Sequence, residues 1–228
     1  MRWHYLVLGI IVGVSISCSK KEKEEPMMIP KMNWGNFVTT FGTDIHSNSS
    51  VFCPRNLHLV GGELLVGDML NNRILLLNTS LAYQGAFGEP GSGTGQTLYP
   101  EGANKDSSYY YVCDTRNSRI CRYNAADKTF NNVLIGSGTA NGTVSNPMDI
   151  AIYNNKLFVA DTSNSRVQRF NVNGTFEAVI NDTTTPLSAP RSLAIDPSNG
   201  DLYVSDGPNN RIVRFDSSGA KAVSYTHL

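Results

Sequence analysis

The sequence has no excess of positive or negative charge. Its 228 residues include 19 Lys and Arg and 19 Asp and Glu, so the formal net charge at pH 7 is zero. A chain without a broad positive field cannot neutralise many phosphates, and we therefore predict that nucleic acid is not a partner. With 40% hydrophobic and 17% charged residues, the composition is typical of a globular domain large enough to bury a core.

Cysteine and histidine are scarce, with four of each. Their spacing matches no zinc motif, and the sequence predicts neither a metal site nor a cofactor. In a hairpin centred on Asn117, Cys113 and Cys121 are predicted to face each other across the strands. In an exported protein these two residues could form a disulfide or remain two packed thiols.

A hydrophobic run long enough to span a bilayer comfortably is missing from the N-terminus. The apolar run from Tyr5 to about Val14 follows Arg2 and leads into small residues, which is the layout of an export signal. We therefore predict a signal peptide over residues 1–17.

The end of this segment, VSISC, resembles the lipobox of bacterial lipoproteins. Ser15 departs from that pattern, which usually has an aliphatic residue three positions before the cysteine. The resemblance implies lipidation of Cys18, a lipid-anchored linker over residues 18–35 and a location in the bacterial cell envelope. Ordinary secretion with cleavage nearby is the alternative.

A polar turn motif recurs four times at nearly constant spacing. It places an Asp after one apolar run and an Arg five residues later, as in VADTSNSRVQRF. The aspartates lie 46, 47 and 45 residues apart, and such a period is the signature of a repeat architecture. The pairs are Asp68 and Arg73, Asp114 and Arg119, Asp161 and Arg166, and Asp206 and Arg211.

We interpret these Asp and Arg pairs as structural. An Asp at the start of a tight turn accepts backbone N–H bonds, and an Arg five residues later reaches the carboxylate across the hairpin. Catalytic groups are needed once, whereas this pair occurs in every repeat.

Each repeat is predicted to fold as four short strands. In the copy that begins at Pro147, β-rich segments alternate with turns such as NN, TSNS and VNG. A unit of about 45 residues with four strands is typical of a β-propeller blade, so the predicted class is all-β. The predicted strands of this copy are residues 148–153, 156–161, 166–172 and 175–181.

The segments VADTSNSRVQRF and VSDGPNNRIVRF, with proline ahead and NG or SG behind, resemble NHL-repeat β-propellers. The resemblance covers about Phe37 to Gly219 and implies blades of four antiparallel strands. Because propellers of this family usually have six blades, the chain is predicted to be a fragment of a six-bladed ring. The propeller is placed at residues 36–228, with repeats at about 54–99, 100–146, 147–189 and 190–228, and an outer strand and loop of the closing blade at 36–53.

Candidate functional residues are those that differ between the copies. The resemblance implies that the residues just after each repeat proline ring one mouth of the central channel, where a polar or zwitterionic ligand would bind. Ordinary ion pairs between blades are the alternative. The predicted ligand-binding residues are Arg55, Asn56, Glu101, Asp149 and Arg191.

Two polar residues occupy an inner position that holds alanine in the later copies. His58 and Asn104 are predicted either to hydrogen-bond each other or to approach a ligand. Taken together, the sequence predicts a non-enzymatic protein that binds an unknown protein, peptide or glycan at the channel mouth.

The alternative function is that of a metal-dependent lyase or hydrolase. SDGPNNRI and CDTRNSRI are similar to signatures of propeller lyases of peptide amidation, whose zinc is held by histidines. Calcium-dependent propeller lactonases use Glu, Asn and Asp instead, which would correspond to Glu101, Asn104 and Asp149. No metal motif with diagnostic spacing supports either enzyme.

Overall fold

The computed structural model describes residue 51 and residues 53–225. In this part of the chain, four antiparallel sheets contain four strands each. The strands of each sheet follow one another as a meander, so each sheet is a blade and the sheets together form a β-propeller arrangement. The predicted signal peptide, Cys18, the linker and most of the predicted closing-blade segment lie outside the described residues.

The strands begin and end as follows. Blade I contains β1 (Pro54–Val60), β2 (Glu63–Asp68), β3 (Arg73–Asn78) and β4 (Tyr83–Phe87). A two-stranded parallel sheet follows, with β5 (Glu89–Pro90) and β6 (Gln96–Thr97). Blade II contains β7 (Ala103–Lys105), β8 (Tyr109–Asp114), β9 (Arg119–Asn124) and β10 (Phe130–Ile135). Blade III contains β11 (Pro147–Tyr153), β12 (Lys156–Asp161), β13 (Arg166–Asn171) and β14 (Phe176–Ile180). Blade IV contains β15 (Leu193–Ile195), β16 (Leu202–Asp206), β17 (Arg211–Phe215) and β18 (Lys221–Tyr225).

The all-β, four-stranded blade predicted from the sequence is confirmed. In blade III every strand lies within one residue of its predicted bounds. The turn between β11 and β12 consists of Asn154 and Asn155, with φ of 47° and 58°. Two-residue hairpin turns favour this left-handed geometry because it matches the twist of the strands, and Asn tolerates it well.

A short 3₁₀ helix follows the second strand of each blade and ends at a left-handed residue. Asn or Ser fills that left-handed position, and its backbone N–H returns to the first residue of the 3₁₀ helix. The TSNS-type segments are therefore tight turns, as predicted. The 3₁₀ helices are Met69–Asn71, Thr115–Asn117, Thr162–Asn164 and Gly207–Asn209.

The hydrophobic core lies between neighbouring blades. Tyr110 belongs to the cluster shared by blades I and II, whereas the next residue, Tyr111, belongs to the cluster shared by blades II and III. Adjacent residues of a strand point to opposite faces, so both faces of blade II are covered by a neighbour. A third cluster joins blade III to blade IV through Phe158 and Phe215.

The predicted facing of Cys113 and Cys121 is wrong. The 3₁₀ turn pairs Asp114 with Arg119, so Cys113 lies opposite Ile120 rather than opposite Cys121. The two cysteines consequently point to different faces of blade II and are separate, buried free thiols. Burial raises the pKa of Cys121 to about 12.

The four repeated Asp and Arg pairs are ion pairs within the blades. Each Arg donates through Nε to its Asp, at 2.7–2.8 Å, and each of these aspartates is fully buried. In blades II to IV the same Asp also accepts a backbone N–H from the loop that enters its blade. The geometry is that of a structural clamp between the loop and the hairpin.

Gly67 lies in β2 where the backbone of the next blade approaches closely. A Cβ atom at this position would lie 1.9 Å from the carbonyl oxygen of Glu101. The equivalent residues, Cys113, Ala160 and Ser205, all carry a side chain, so the requirement for glycine is specific to blade I.

We therefore expect Gly67→Ala to lower the free energy of unfolding by about 1–3 kcal/mol, because the backbone at Glu101 must shift to admit the methyl group. Urea denaturation followed by circular dichroism measures this loss. Gly136→Ala is the matched control, since a methyl group added there would have no atom within 4 Å. Equal midpoints for the two variants would contradict the close approach.

Candidate functional site

The first strands of the four blades meet around a common centre. The Asn56 side chain of blade I donates to the carbonyl oxygen of Met148 in blade III at 2.7 Å. Its own amide oxygen accepts from Ser192 of blade IV at 3.4 Å. The Asn56 backbone N–H donates to the carbonyl oxygen of Glu101 in blade II, also at 3.4 Å. The residues after the repeat prolines therefore converge at one end of the inner strands.

Asp149 is the most connected of these residues. Its Oδ1 lies 2.7 Å from Nε2 of His58 in blade I, and its Oδ2 accepts the backbone N–H of Leu193 in blade IV at 2.8 Å. Oδ1 also accepts the backbone N–H of Ile150. Because the Asp149 carboxylate is buried and hydrogen-bonds to groups in three blades, its contacts hold these blades together.

Asn104 extends this network into blade II. Its side-chain amide group lies 3.4 Å from Nδ1 of His58 and donates to the carbonyl oxygen of Ile150 at 3.3 Å. Its oxygen accepts the backbone N–H of Lys105. Of the two predictions for His58 and Asn104, this geometry favours the mutual hydrogen bond.

The protonation of His58 depends on opposing effects. Burial lowers its pKa, but the charge and hydrogen bond of Asp149 raise it more, so the pKa lies above the ordinary 6.5. The Asn104 amide donates to Nδ1, which favours the neutral ring, but this contact is longer than the one to Asp149. The charged partner at 2.7 Å therefore decides the direction.

This raised pKa makes the stability conferred by His58 dependent on pH. The folded state holds the imidazole proton more tightly than the unfolded state, so the contribution is fully present below the unfolded pKa of about 6.5 and is lost as pH rises through the folded pKa. We expect His58→Gln to cost about 1.5–3 kcal/mol at about pH 5.5 and less at about pH 8.5. Urea titrations of both proteins at several pH values measure the difference, and a difference that grows with pH would contradict the assignment.

Arginines surround Glu101 at the end of the inner strands. Arg55 and Arg191, both predicted ligand-binding residues, are exposed. Glu101 is half-buried, and its pKa is raised by burial while Arg55 and Arg191 act to lower it. Glu101 therefore lies close enough to both arginines to sense their charge.

The predicted site residues thus fall into two groups. Asn56 and Asp149 are engaged in hydrogen bonds between blades, whereas Arg55 and Arg191 are exposed and Glu101 is half-buried. The structure places all five predicted ligand-binding residues near the same end of the inner strands. Their binding of a ligand stays a prediction.

One residue at this end of the inner strands is not among those predicted from the sequence. Arg116 lies in the 3₁₀ turn of blade II, is exposed, and its guanidinium lies 5.6 Å from the centre of the Tyr99 ring. The positive charge of Arg116 also acts to lower the pKa of Glu101. Comparison of the four turns would have revealed it, since Leu70, Ser163 and Pro208 occupy the equivalent positions.

The opposite ends of the inner strands border a cleft of about 570 Å³. His58 and Asn104 line it, but the polar atoms of both side chains already form the hydrogen bonds described above. Leu59, Ile152 and Ile195 supply apolar walls.

Two of the three residues proposed for calcium already use their oxygens in hydrogen bonds. The oxygens of Asp149 already accept three hydrogen bonds, and the oxygen of Asn104 accepts one. Among residues 51 and 53–225, no group of three or more His, Cys, Asp or Glu residues is arranged to hold a metal ion. His46 and His227, two of the four histidines of the sequence, lie outside the described residues.

The fold is a β-propeller arrangement, and one of its four blades matches a known repeat family. The model of the NHL repeat family matches residues 187–215, which cover most of blade IV. No curated protein matches the sequence. No helix within the described residues has the length and apolarity of a membrane span.

Solved structures with similar folds include both a complex and lyases. The nidogen/laminin complex gives a TM-score of 0.60 at 14% identity, over 78% of this chain and 65% of that chain. A catalytically inactive virginiamycin B lyase from Staphylococcus aureus with quinupristin gives 0.58 at 17%, over 79% and 57%. A streptogramin B lyase gives 0.58 at 15%, over 76% and 54%. The chain therefore spans less than two thirds of each, and identities this low establish the fold alone.

Proposed function

We propose that the protein is an exported, lipid-anchored NHL-type propeller that binds a polypeptide partner at the end of the inner strands occupied by Arg55, Glu101 and Arg191. The observation that carries the proposal is the pair of exposed arginines, which come from different blades and form no ion pair with any described residue. Charged groups left unpaired on a rigid rim are available to a partner.

The hydrogen bonds between the inner strands support a binding role. Asn56 and Asp149 fix the inner strands to one another, so the exposed arginines are carried by a preorganised base. The nidogen/laminin structure, which has a similar fold, is a complex between proteins and supports the choice of a polypeptide. A glycan remains the competing ligand class.

Site-specific photocrosslinking tests the binding role. A photoreactive amino acid at position 70, an exposed residue next to Met69, the contact of Arg55, should give a discrete protein adduct in intact cells, and Arg191→Glu should abolish it. Position 128, in the turn between β9 and β10, is the control and should give no such adduct. The same adducts from both positions, or an adduct that survives Arg191→Glu, would refute the assignment.

Lipid anchoring is tested separately. If Cys18 carries the lipid, Cys18→Ser should move the protein from the membrane fraction to the soluble fraction. Metabolic labelling with a clickable fatty acid should mark only the protein with Cys18. Labelling of the serine variant would contradict the anchor.

A second candidate function is that of a lyase. It rests on the structural likeness to the virginiamycin B and streptogramin B lyases, and on the His58 and Asp149 pair near the inner strands. Incubation of the purified protein with quinupristin, with and without added divalent metal ions, tests this candidate. Cleavage that requires His58 would support the lyase and count against a purely binding role.

A further inference from the structure

Three arginines from three different blades surround one end of the inner strands. Arg55 is the second residue of β1 in blade I, Arg116 lies in the turn after β8 in blade II, and Arg191 precedes β15 in blade IV. The neighbours Asn56 and Ser192 contact each other at 3.4 Å, which brings the backbones carrying Arg55 and Arg191 together.

These guanidinium groups have few partners of their own. All three arginines are exposed. Arg55 contacts the sulfur of Met69 at 3.5 Å, and Arg116 lies over the Tyr99 ring. Among the described residues, none of the three forms an ion pair. Neither a thioether nor an aromatic ring neutralises a cation, so these two contacts leave the positive charges of Arg55 and Arg116 in place.

Glu101 is an acidic residue at this same end of the inner strands. Burial raises the pKa of its carboxyl group, all three arginines act to lower it, and Asp149 acts to raise it. Its backbone is held by hydrogen bonds to Cys113 and Asn56. Its carboxylate, in contrast, has no hydrogen bond or ion pair to any described residue.

We propose that Arg55, Arg116 and Arg191 bind the carboxylates of an acidic peptide, and that Glu101 competes with the peptide for these cations. The proposal rests on the polypeptide-binding function above and names its ligand chemistry. Arginine suits carboxylates because its planar guanidinium can donate two parallel hydrogen bonds to one carboxylate.

A short acidic peptide fits this cluster better than an extended polyanion. The chain has a formal net charge of zero, and Glu101 offsets one of the three cations. A long polyanion gains affinity by neutralising many charges along a broad positive surface, which this chain does not provide. One or two carboxylates match the charge that is present.

The competing role of Glu101 gives a distinctive expectation. Removing an arginine should weaken an acidic ligand, whereas removing the charge of Glu101 should strengthen it. We expect Arg116→Gln to weaken binding about tenfold and Glu101→Gln to tighten it about 2- to 5-fold. A residue with a merely structural role would not produce opposite signs.

Fluorescence anisotropy with labelled hexaglutamate as the probe measures these effects, and hexaglutamine is the neutral comparison. Lys128→Gln is the matched control, since it removes a positive charge from an outer turn of blade II. It should leave the affinity unchanged. Circular dichroism confirms that each variant is folded.

The outcomes separate this proposal from the function on which it rests. Equal binding of hexaglutamate and hexaglutamine, or weaker binding by Glu101→Gln, would overturn the acidic-peptide assignment even if the photocrosslinked adduct forms at position 70. Tighter binding of an oligogalacturonate than of hexaglutamate would overturn the peptide in favour of an acidic glycan. Absence of both the adduct and hexaglutamate binding would remove both proposals.

Discussion

Replacement of Asp161 by alanine is expected to lower the free energy of unfolding by about 3–5 kcal/mol, which is a large share of the stability of an ordinary domain. The Asp161 carboxylate is fully buried. It accepts hydrogen bonds from Arg166 at 2.7 Å, from the backbone N–H of Ser145 at 2.7 Å, and from Asn164 and Gln168 at 2.9 Å. All of these donors would lose the same partner at once.

The loss should extend to the loop that enters blade III. Arg166 also donates to the carbonyl oxygens of Ala140 and Thr143, so the Asp161 carboxylate holds the guanidinium that fastens this loop. Increased amide hydrogen exchange over residues 138–146 should accompany the lower stability. If Asp161 stabilised only the hairpin, the amide protons of residues 138–146 would exchange as slowly in Asp161→Ala as in the unchanged protein.

Asp127→Ala is the matched control for this experiment. Asp127 is exposed, and among the described residues its hydrogen bonds stay within its own turn, chiefly with Thr129. Urea unfolding should show a much smaller change for this variant than for Asp161→Ala. Asp161→Asn keeps the shape but loses the charge, and it should also be destabilised because one of its amide N–H groups would face donors. Equal midpoints for Asp161→Ala and Asp127→Ala would contradict the clamp.

The sequence predicts the blade well because its information is local. Strand bounds in blade III follow from the alternation of β-rich segments with Asn- and Gly-containing turns, and each turn is settled by a few neighbouring residues. The same local logic fails at Cys113 and Cys121. Their facing depends on the number of residues that the 3₁₀ turn leaves unpaired, and a shift of one residue moves a side chain to the other face of the sheet.

The candidate site is only partly predictable because its contacts join distant parts of the chain. The position after each repeat proline locates Arg55, Glu101 and Arg191 at one end. The pairing of Asp149 with His58 spans 91 residues and depends on how the inner strands of blades I and III are oriented. No pattern within one repeat contains that orientation.

Asp149→Ala is expected to cost about 3–5 kcal/mol and to reduce the cooperativity of unfolding. In repeat proteins most stabilising contacts join nearest neighbours. Asp149 instead connects blade III both to Leu193 in the next blade and to His58 two blades away. Its loss therefore removes a tie between blades that are not adjacent, and the dependence of the unfolding free energy on urea should become shallower.

The same variant should reverse the sign of the pH dependence that His58 confers, so that stability falls toward low pH instead. Without the Asp149 carboxylate, the burial that lowers the pKa of His58 is no longer outweighed. The fall in stability that the unchanged protein shows as pH rises through the folded pKa should therefore disappear in Asp149→Ala, and adding His58→Gln should cost little more. A double-mutant cycle in urea, at low and high pH, measures this coupling. Additive losses of unfolding free energy at both pH values would show that His58 and Asp149 act independently. That result would contradict a link between blades I and III through this pair.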